Sequence, residues 1–127
     1  MPLVRLTTGP SRDAASRRAI ADAAHAVLIR TLVAPADDRF QLLETRDTTG
    51  FIADPAYLGM DRRDPVLIEV TCKRGRSDDQ KRAFYAGLAA ALEPVGVRGD
   101  DLIVVLTEND GVDWSFGRGV AQYAPGT

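Results

Sequence analysis

Three groups of residues in this chain have the types and spacing to do chemistry. The first is Pro2. A small second residue allows the initiator Met to be removed, which leaves a free proline amine at the chain end. A free α-amino group titrates near ~8 in the reference state, far below lysine, so it can exchange protons near neutral pH. As a secondary amine it can also condense with a carbonyl compound to an iminium, the chemistry lysine uses in Schiff bases. Taken alone, Pro2 is also simply a common second residue.

The second group is Lys73-Arg74-Gly75-Arg76, between a strand end and a helix start. Arg74 and Arg76 are two apart, so on an extended segment both guanidiniums point the same way. Two such forks beside a helix N-terminus suit a carboxylate or phosphate. The same residues also fit a solvated turn or a nucleic-acid contact. The third is Asp38, an acid beside Asp37 and ahead of a strand, which is equally the pattern of a turn or capping aspartate. His25 lies mid-helix beside an apolar stripe, the usual place of a structural histidine. Cys72 reads as a buried strand thiol with no role. Gly117-Arg118-Gly119 lacks the further glycine and the helix of a dinucleotide loop.

These residues must be positioned by elements that the pattern predicts twice over. A strand over Leu3–Leu6 is broken by Gly9-Pro10, and Ser11 is placed to cap a helix with Asp13 in its first turn. Ile20, Ala24, Val27, Leu28 and Thr31 recur on one helical face. Pro35 ends that helix, and Phe40–Glu44 is the next strand. The plan then repeats. Val66–Cys72 alternates as a strand, with Val66, Ile68, Val70 and Cys72 on one face. Ser77 and Gln80 have the spacing of a capping box. Phe84, Leu88, Ala91 and Leu92 form the second apolar stripe, and Gly96 stops it. Leu102–Leu106 is five apolar residues in a row, which predicts a strand covered on both sides or centrally buried.

Ser11 and Ser77 stand 66 residues apart, close to half the chain. The expected fold is α/β: two β-α-β repeats joined into one four-stranded mixed sheet with both helices on one face. The expected division is one domain over 1–127, with repeats at 2–45 and 65–107. A linker at 46–64 joins them, and a terminal hairpin or tail follows at 108–127. The other face of so small a sheet is left apolar, which predicts burial against another subunit.

Composition narrows the function. The 127 residues suit one domain able to bury roughly two thirds of its unfolded surface. Net charge of −2 offers nothing global to nucleic acid or anionic membrane. Fourteen of the sixteen basic residues are Arg, a composition bias before a functional signal. One cysteine excludes an internal disulfide, and one histidine leaves little for a metal site. No run approaches the ~20 apolar residues of a membrane span, and the first twenty residues lack a signal-peptide core. A cytoplasmic protein without cofactor or metal is expected.

The chain resembles the tautomerase superfamily, and within it the malonate semialdehyde decarboxylases. The resemblance rests on Pro2-Leu3, Pro35-x-x-Asp38-Arg39-Phe40-Gln41, Arg74-x-Arg76-Ser77-x-x-Gln80-Lys81 and Asp113-Trp114-Ser115-Phe116-Gly117-Arg118-Gly119. It implies a homotrimer with Pro2 as the catalytic amine and Asp38 as its partner. Arg74 and Arg76 would bind a substrate carboxylate, and Trp114 and Phe116 would form an apolar wall. By likeness to the chloroacrylate dehalogenases, His25 would also bind substrate. The chain departs from the family at Met60–Pro65 and in its short end, Ala124–Thr127, which would leave one side of the pocket open. The implied activity is cofactor-free decarboxylation of malonate semialdehyde or a similar 3-oxo acid, with hydration as a side activity. A keto–enol tautomerase of the 4-oxalocrotonate or phenylpyruvate kind and a trimeric binding module without catalysis are the alternatives.

Overall fold

The computed structural model describes residues 2–124. Six regular elements follow in order: β1 (Leu3–Thr8), α1 (Ala14–Leu32), β2 (Phe40–Thr45), β3 (Val66–Lys73), α2 (Asp78–Leu92) and β4 (Leu102–Asn109). The sheet order is β2-β1-β3-β4, with β1/β2 and β3/β4 parallel and the central β1/β3 pair antiparallel. Each helix is therefore the crossover of one parallel pair. The two units meet through the antiparallel pair at the middle of the sheet.

Alternation along the strands sorts the two faces. Val4, Leu6, Val66, Ile68, Val70 and Cys72 are buried and share one core with Ile20, Val27 and Leu28 of α1 and Phe84, Leu88 and Leu92 of α2. Both helices thus lie on one face. They approach closely at Gly87, where an added Cβ would come within 2.8 Å of the Val27 side chain. The opposite face carries Leu3, Phe40, Leu42, Leu67, Ile103 and Val105 by register, but also the paired Arg5 and Glu69 at its centre, so it is only partly the apolar face expected.

The local signals resolve in two different ways. In α2, Ser77 Oγ accepts from the Gln80 N–H at 3.1 Å while Gln80 Oε1 accepts from the Ser77 N–H at 2.8 Å, a complete capping box. Ser77→Ala is accordingly expected to cost about 1 kcal/mol of stability in urea unfolding; an unchanged midpoint would show that the box contributes nothing. In α1 the cap is Asp13, not Ser11: the Asp13 carboxylate accepts from Ser16 N–H at 2.8 Å. Ser11 instead donates to Asp64, a partner 53 residues away that no local reading contains. The helix closes on Val33 in the left-handed region (φ 55°), with Pro35 following.

β4 also departs from its expected place. It is an edge strand, and Val105 on its open face is 46% exposed. Its alternate residues Leu102, Val104 and Leu106 pack on the core, so the apolar run reflects one covered face and one open one. Of the end segment, Glu108 and Asn109 complete β4, and a single 3-10 turn at Gly111–Asp113 leads into irregular chain rather than a hairpin. Residues 125–127 of the expected short tail, and Met1, lie outside the described residues.

One end of the sheet is stapled by polar groups. Arg12, 8% exposed, donates to the carbonyls of Gly96 and Asp64 at 3.0 and 3.3 Å. The buried Asp101 carboxylate accepts the N–H groups of Arg63 and Asp64 at 2.7 and 3.1 Å. These bonds hold the end of the connecting segment and leave the other end of the sheet for the candidate site.

Candidate active site

The register gathers the chemistry-bearing residues at one end of the sheet. Leu3 pairs with Phe40 on β2 and with Thr71 on β3, so Pro2 falls beside Arg39 and Cys72 in the continuing register. Lys73 pairs with Asn109, so β3 and β4 release their following loops at this same end. Pro2 is buried at the head of β1. Around it stand the loop ahead of β2, the loop after β3 and the loop after β4.

The loop ahead of β2 carries Asp38 and is pinned to α1 on both sides. The Asp38 N–H closes a turn onto Pro35 O at 3.1 Å. His25 Nε2 lies 2.9 Å from Ala36 O and donates to it. Past Asp38, Arg39 donates to Asp22 at 2.6 Å and to Gln41 Oε1 at 2.9 Å, and Gln41 donates to Ala21 O at 2.9 Å. The Arg39 hydrogen bond, aided by Arg18, holds the Asp22 carboxyl below the usual carboxylate range. His25 is thus bound to the backbone two residues before Asp38.

The loop after β3 is shaped by Gly75, whose φ of 131° suits a residue without Cβ. Its two arginines have different anchors. Arg74 is mostly exposed and donates from Nε to Asp110 at 3.3 Å. Arg76 is half-buried and donates from Nε to Leu32 O at 3.0 Å and from Nη1 to Lys73 O at 2.8 Å. Leu32 is the last residue of α1, so Arg76 satisfies a carbonyl at the helix end, where a cation is electrostatically favoured. Both arginines still line one cavity of about 320 Å³, with Leu32, Val33 and Gln80.

Beneath this loop, Lys81 donates to Glu108 at 2.9 Å, and the Gly75 N–H also donates to that carboxylate. The Lys81 bond holds Glu108 below, and Lys81 above, their ordinary values. Burial pushes the Cys72 thiol up, which keeps it out of thiolate chemistry.

The loop after β4 supplies the aromatic side. Trp114 stacks on Phe116 with centroids 5.4 Å apart and planes 3° from parallel. Phe116 also meets Phe40 at 5.2 Å and the edge of Tyr123 at 6.0 Å. Gln122 closes this loop, accepting from the Phe116 N–H and donating to Gly117 O, both at 3.0 Å. Gly111 admits the chain end, since a Cβ there would stand 2.6 Å from Tyr123 O. A second cavity of about 350 Å³ is lined by Pro35, Asp37, Asp38, Phe40, Phe116, Gln122 and Tyr123.

The structure therefore joins Asp38 with Phe116 in one cavity, sets Arg74 and Arg76 in another, and links Trp114 to the first through its stack. His25 stands behind the Asp38 loop. Gln122 and Tyr123 carried no sequence signal for the site. Phe40 stood in a resemblance motif and in a strand but was given no role in the site, and Tyr123 reaches the cavity because Gly111 lets the chain end cross there. Among the described residues, no group of three or more His, Cys, Asp or Glu could hold a metal ion, and no helix is long and apolar enough to cross a membrane.

Comparison with known proteins follows the same lines. A family model described as tautomerase enzyme matches residues 38–117. A probable tautomerase of Bacillus subtilis (strain 168), YrdN, is 35% identical over 127 residues, covering 99% of this chain and 98% of that protein. Among solved structures, the FG41 malonate semialdehyde decarboxylase inhibited by 3-bromopropiolate is 43% identical with a TM-score of 0.90, over 95% of this chain and 93% of that one. Another malonate semialdehyde decarboxylase, described for its decarboxylase and hydratase activities, is 36% identical with a TM-score of 0.88, over 95% of each chain.

Proposed function

The chain belongs to the tautomerase family, and from that premise we propose that it is a cofactor-independent decarboxylase of malonate semialdehyde or a similar 3-oxo acid. The observation that carries this reading is the convergence at one sheet end of Pro2, the Asp38 loop, the arginine loop and the aromatic loop. The likeness to two malonate semialdehyde decarboxylases supports it.

In this reading Arg74 and Arg76 hold the substrate carboxylate by charge-assisted hydrogen bonds. The bond between the carboxylate carbon and the α-carbon breaks, carbon dioxide leaves, and the electron pair passes into the neighbouring carbonyl as an enolate. Protonated Pro2 stabilises that developing charge by hydrogen bonding. Alternatively, Pro2 first forms an iminium with the carbonyl, with loss of water, and the same electron pair goes into the iminium to give an enamine. In both routes the α-carbon then takes up a proton, and hydrolysis of the iminium completes the second. Asp38 favours the charged amine by its own charge. With an acetylenic acid in place of the 3-oxo acid, Asp38 would activate a water for hydration.

The assay is direct. Purified protein, shown by intact mass to have lost Met1, is expected to convert malonate semialdehyde to acetaldehyde and carbon dioxide. Turnover of phenylenolpyruvate without decarboxylation would favour the second reading, a keto–enol tautomerase in which neutral Pro2 is the base. The description of the Bacillus subtilis relative as a probable tautomerase is what favours that alternative.

The proposal includes a homotrimer. The open sheet face presents Leu3, Phe40, Leu42 and Val105, each more than a third exposed in the single chain. Leu3, Phe40 and Leu42 adjoin across β1 and β2, while Arg5 and Glu69 stand between them and Val105; burial against neighbouring subunits would remove the apolar part of this face from water. Sedimentation is expected to give three times the chain mass at micromolar concentration, and a stable monomer would refute the assembly.

A further inference from the structure

We propose that Asn109 is a positioning residue that joins the arginine loop to the aromatic wall. It is the last residue of β4 and makes one bond to each side. Its backbone oxygen accepts from the Arg74 N–H at 2.7 Å, and its side-chain oxygen accepts from Trp114 Nε1–H at 2.6 Å. It pairs in register with Lys73, so the Arg74 bond extends the β3/β4 ladder directly into the loop. The residue is half-buried, which shelters both bonds from competing water.

The physical consequence lies in what each bond restrains. An indole has a single N–H, a donor only, so one acceptor sets the orientation of the ring within its plane. Ring stacking alone tolerates sliding, because offset geometries are close in energy. The bond to Asn109 removes that freedom and holds Trp114 parallel to Phe116, which in turn touches Phe40 and Tyr123. Asn109 therefore registers the aromatic wall against the backbone of the carboxylate-binding loop. Displacing Arg74 moves the residue that holds Trp114.

This inference rests on the reading of Arg74 as a carboxylate ligand and Trp114 as a wall of the site. Trp114 is the only tryptophan in the chain, so intrinsic fluorescence reports this bond without a label. Three variants separate the possibilities: Asn109→Ala removes the acceptor, Asn109→Leu removes it while keeping volume, and Asn109→Asp restores an oxygen at the same reach.

In the wild type, titration with malonate, an unreactive dicarboxylate, is expected to change Trp114 emission. In Asn109→Ala the emission shifts to the red and the malonate response is lost. With malonate semialdehyde, kcat falls about tenfold while KM stays within about threefold, and Asn109→Asp recovers most of both signals. Asn109→Leu serves in place of the alanine variant if that one does not fold.

An alanine or leucine variant with wild-type emission and malonate response would overturn the inference. So would a red shift with unchanged kinetics, because the bond would then be structural only. If the wild type fails to turn over malonate semialdehyde, the proposed function falls by itself. The malonate titration still decides the role of Asn109.

Discussion

Replacing Pro2 with alanine is expected to lower decarboxylation of malonate semialdehyde by at least a hundredfold, within the ~10²- to 10⁴-fold range of a positioned acid or base. The variant keeps an α-amine once Met1 is removed, so it tests the pyrrolidine nitrogen and its fixed ring and not merely the presence of nitrogen. Pro2 is buried at the head of β1, where the ring has little room to move. Circular dichroism should show an unchanged fold. Kinetics within threefold of wild type would remove Pro2 from the mechanism.

The sign of the pH dependence separates the two enzyme readings. Two nearby arginines disfavour a charged amine and lower its pKa, while a nearby carboxylate favours it and raises the pKa. A decarboxylase using protonated Pro2 is active below that pKa and loses activity as pH rises through it. A tautomerase using neutral Pro2 does the reverse. Asp38→Asn is expected to move the alkaline limb of decarboxylation to lower pH with the arginines intact. Activity that vanishes below neutral pH and persists above it would contradict the protonated-proline account. Borohydride should trap a substrate adduct on Pro2 only if the iminium route operates.

Truncating the arginines is expected to have the second largest effect, and the structure predicts two different signatures. Loss of one charge-assisted contact costs on the order of 1.5–3 kcal/mol, about ten- to a hundredfold in kcat/KM. Arg74 makes one exposed ion pair, to Asp110, and exposed pairs contribute little to stability. Arg74→Ala should therefore lose activity on carboxylate substrates with its unfolding midpoint nearly unchanged. Arg76 ties Leu32 at the end of α1 to the loop after β3. Arg76→Ala should lose activity and stability together, visible as a lower urea midpoint. Wild-type kinetics in both variants would dismiss the carboxylate clamp.

The division between these arginines shows where sequence reading stops. Spacing of two put both guanidiniums on one side of an extended segment. The actual segment turns at Gly75, and Arg76 finds a carbonyl 44 residues earlier in the chain. Nothing near position 76 encodes that partner. The same limit explains α1: Ser11 had the type and place of a cap, but Asp64 took its hydroxyl from across the fold, and Asp13 two residues on supplied the cap.

Features that depend on neighbours within one turn or one strand were legible in the order of residues. The capping box of Ser77 and Gln80, the alternation of β3, the apolar stripes of both helices and the doubled β-α-β plan are all local patterns. Their energies come from groups a few residues apart, so residue type and spacing suffice. Tertiary structure alone decided that β4 lies at an edge, that His25 binds the Ala36 carbonyl, and that Phe40, Gln122 and Tyr123 share a cavity with Asp38. It also decided that Asn109 reaches both Arg74 and Trp114. Those outcomes depend on strand register and on loops from three parts of the chain meeting at one sheet end. Register is a property of paired strands and not of either strand alone, because each ladder bond needs a donor and an acceptor from distant segments.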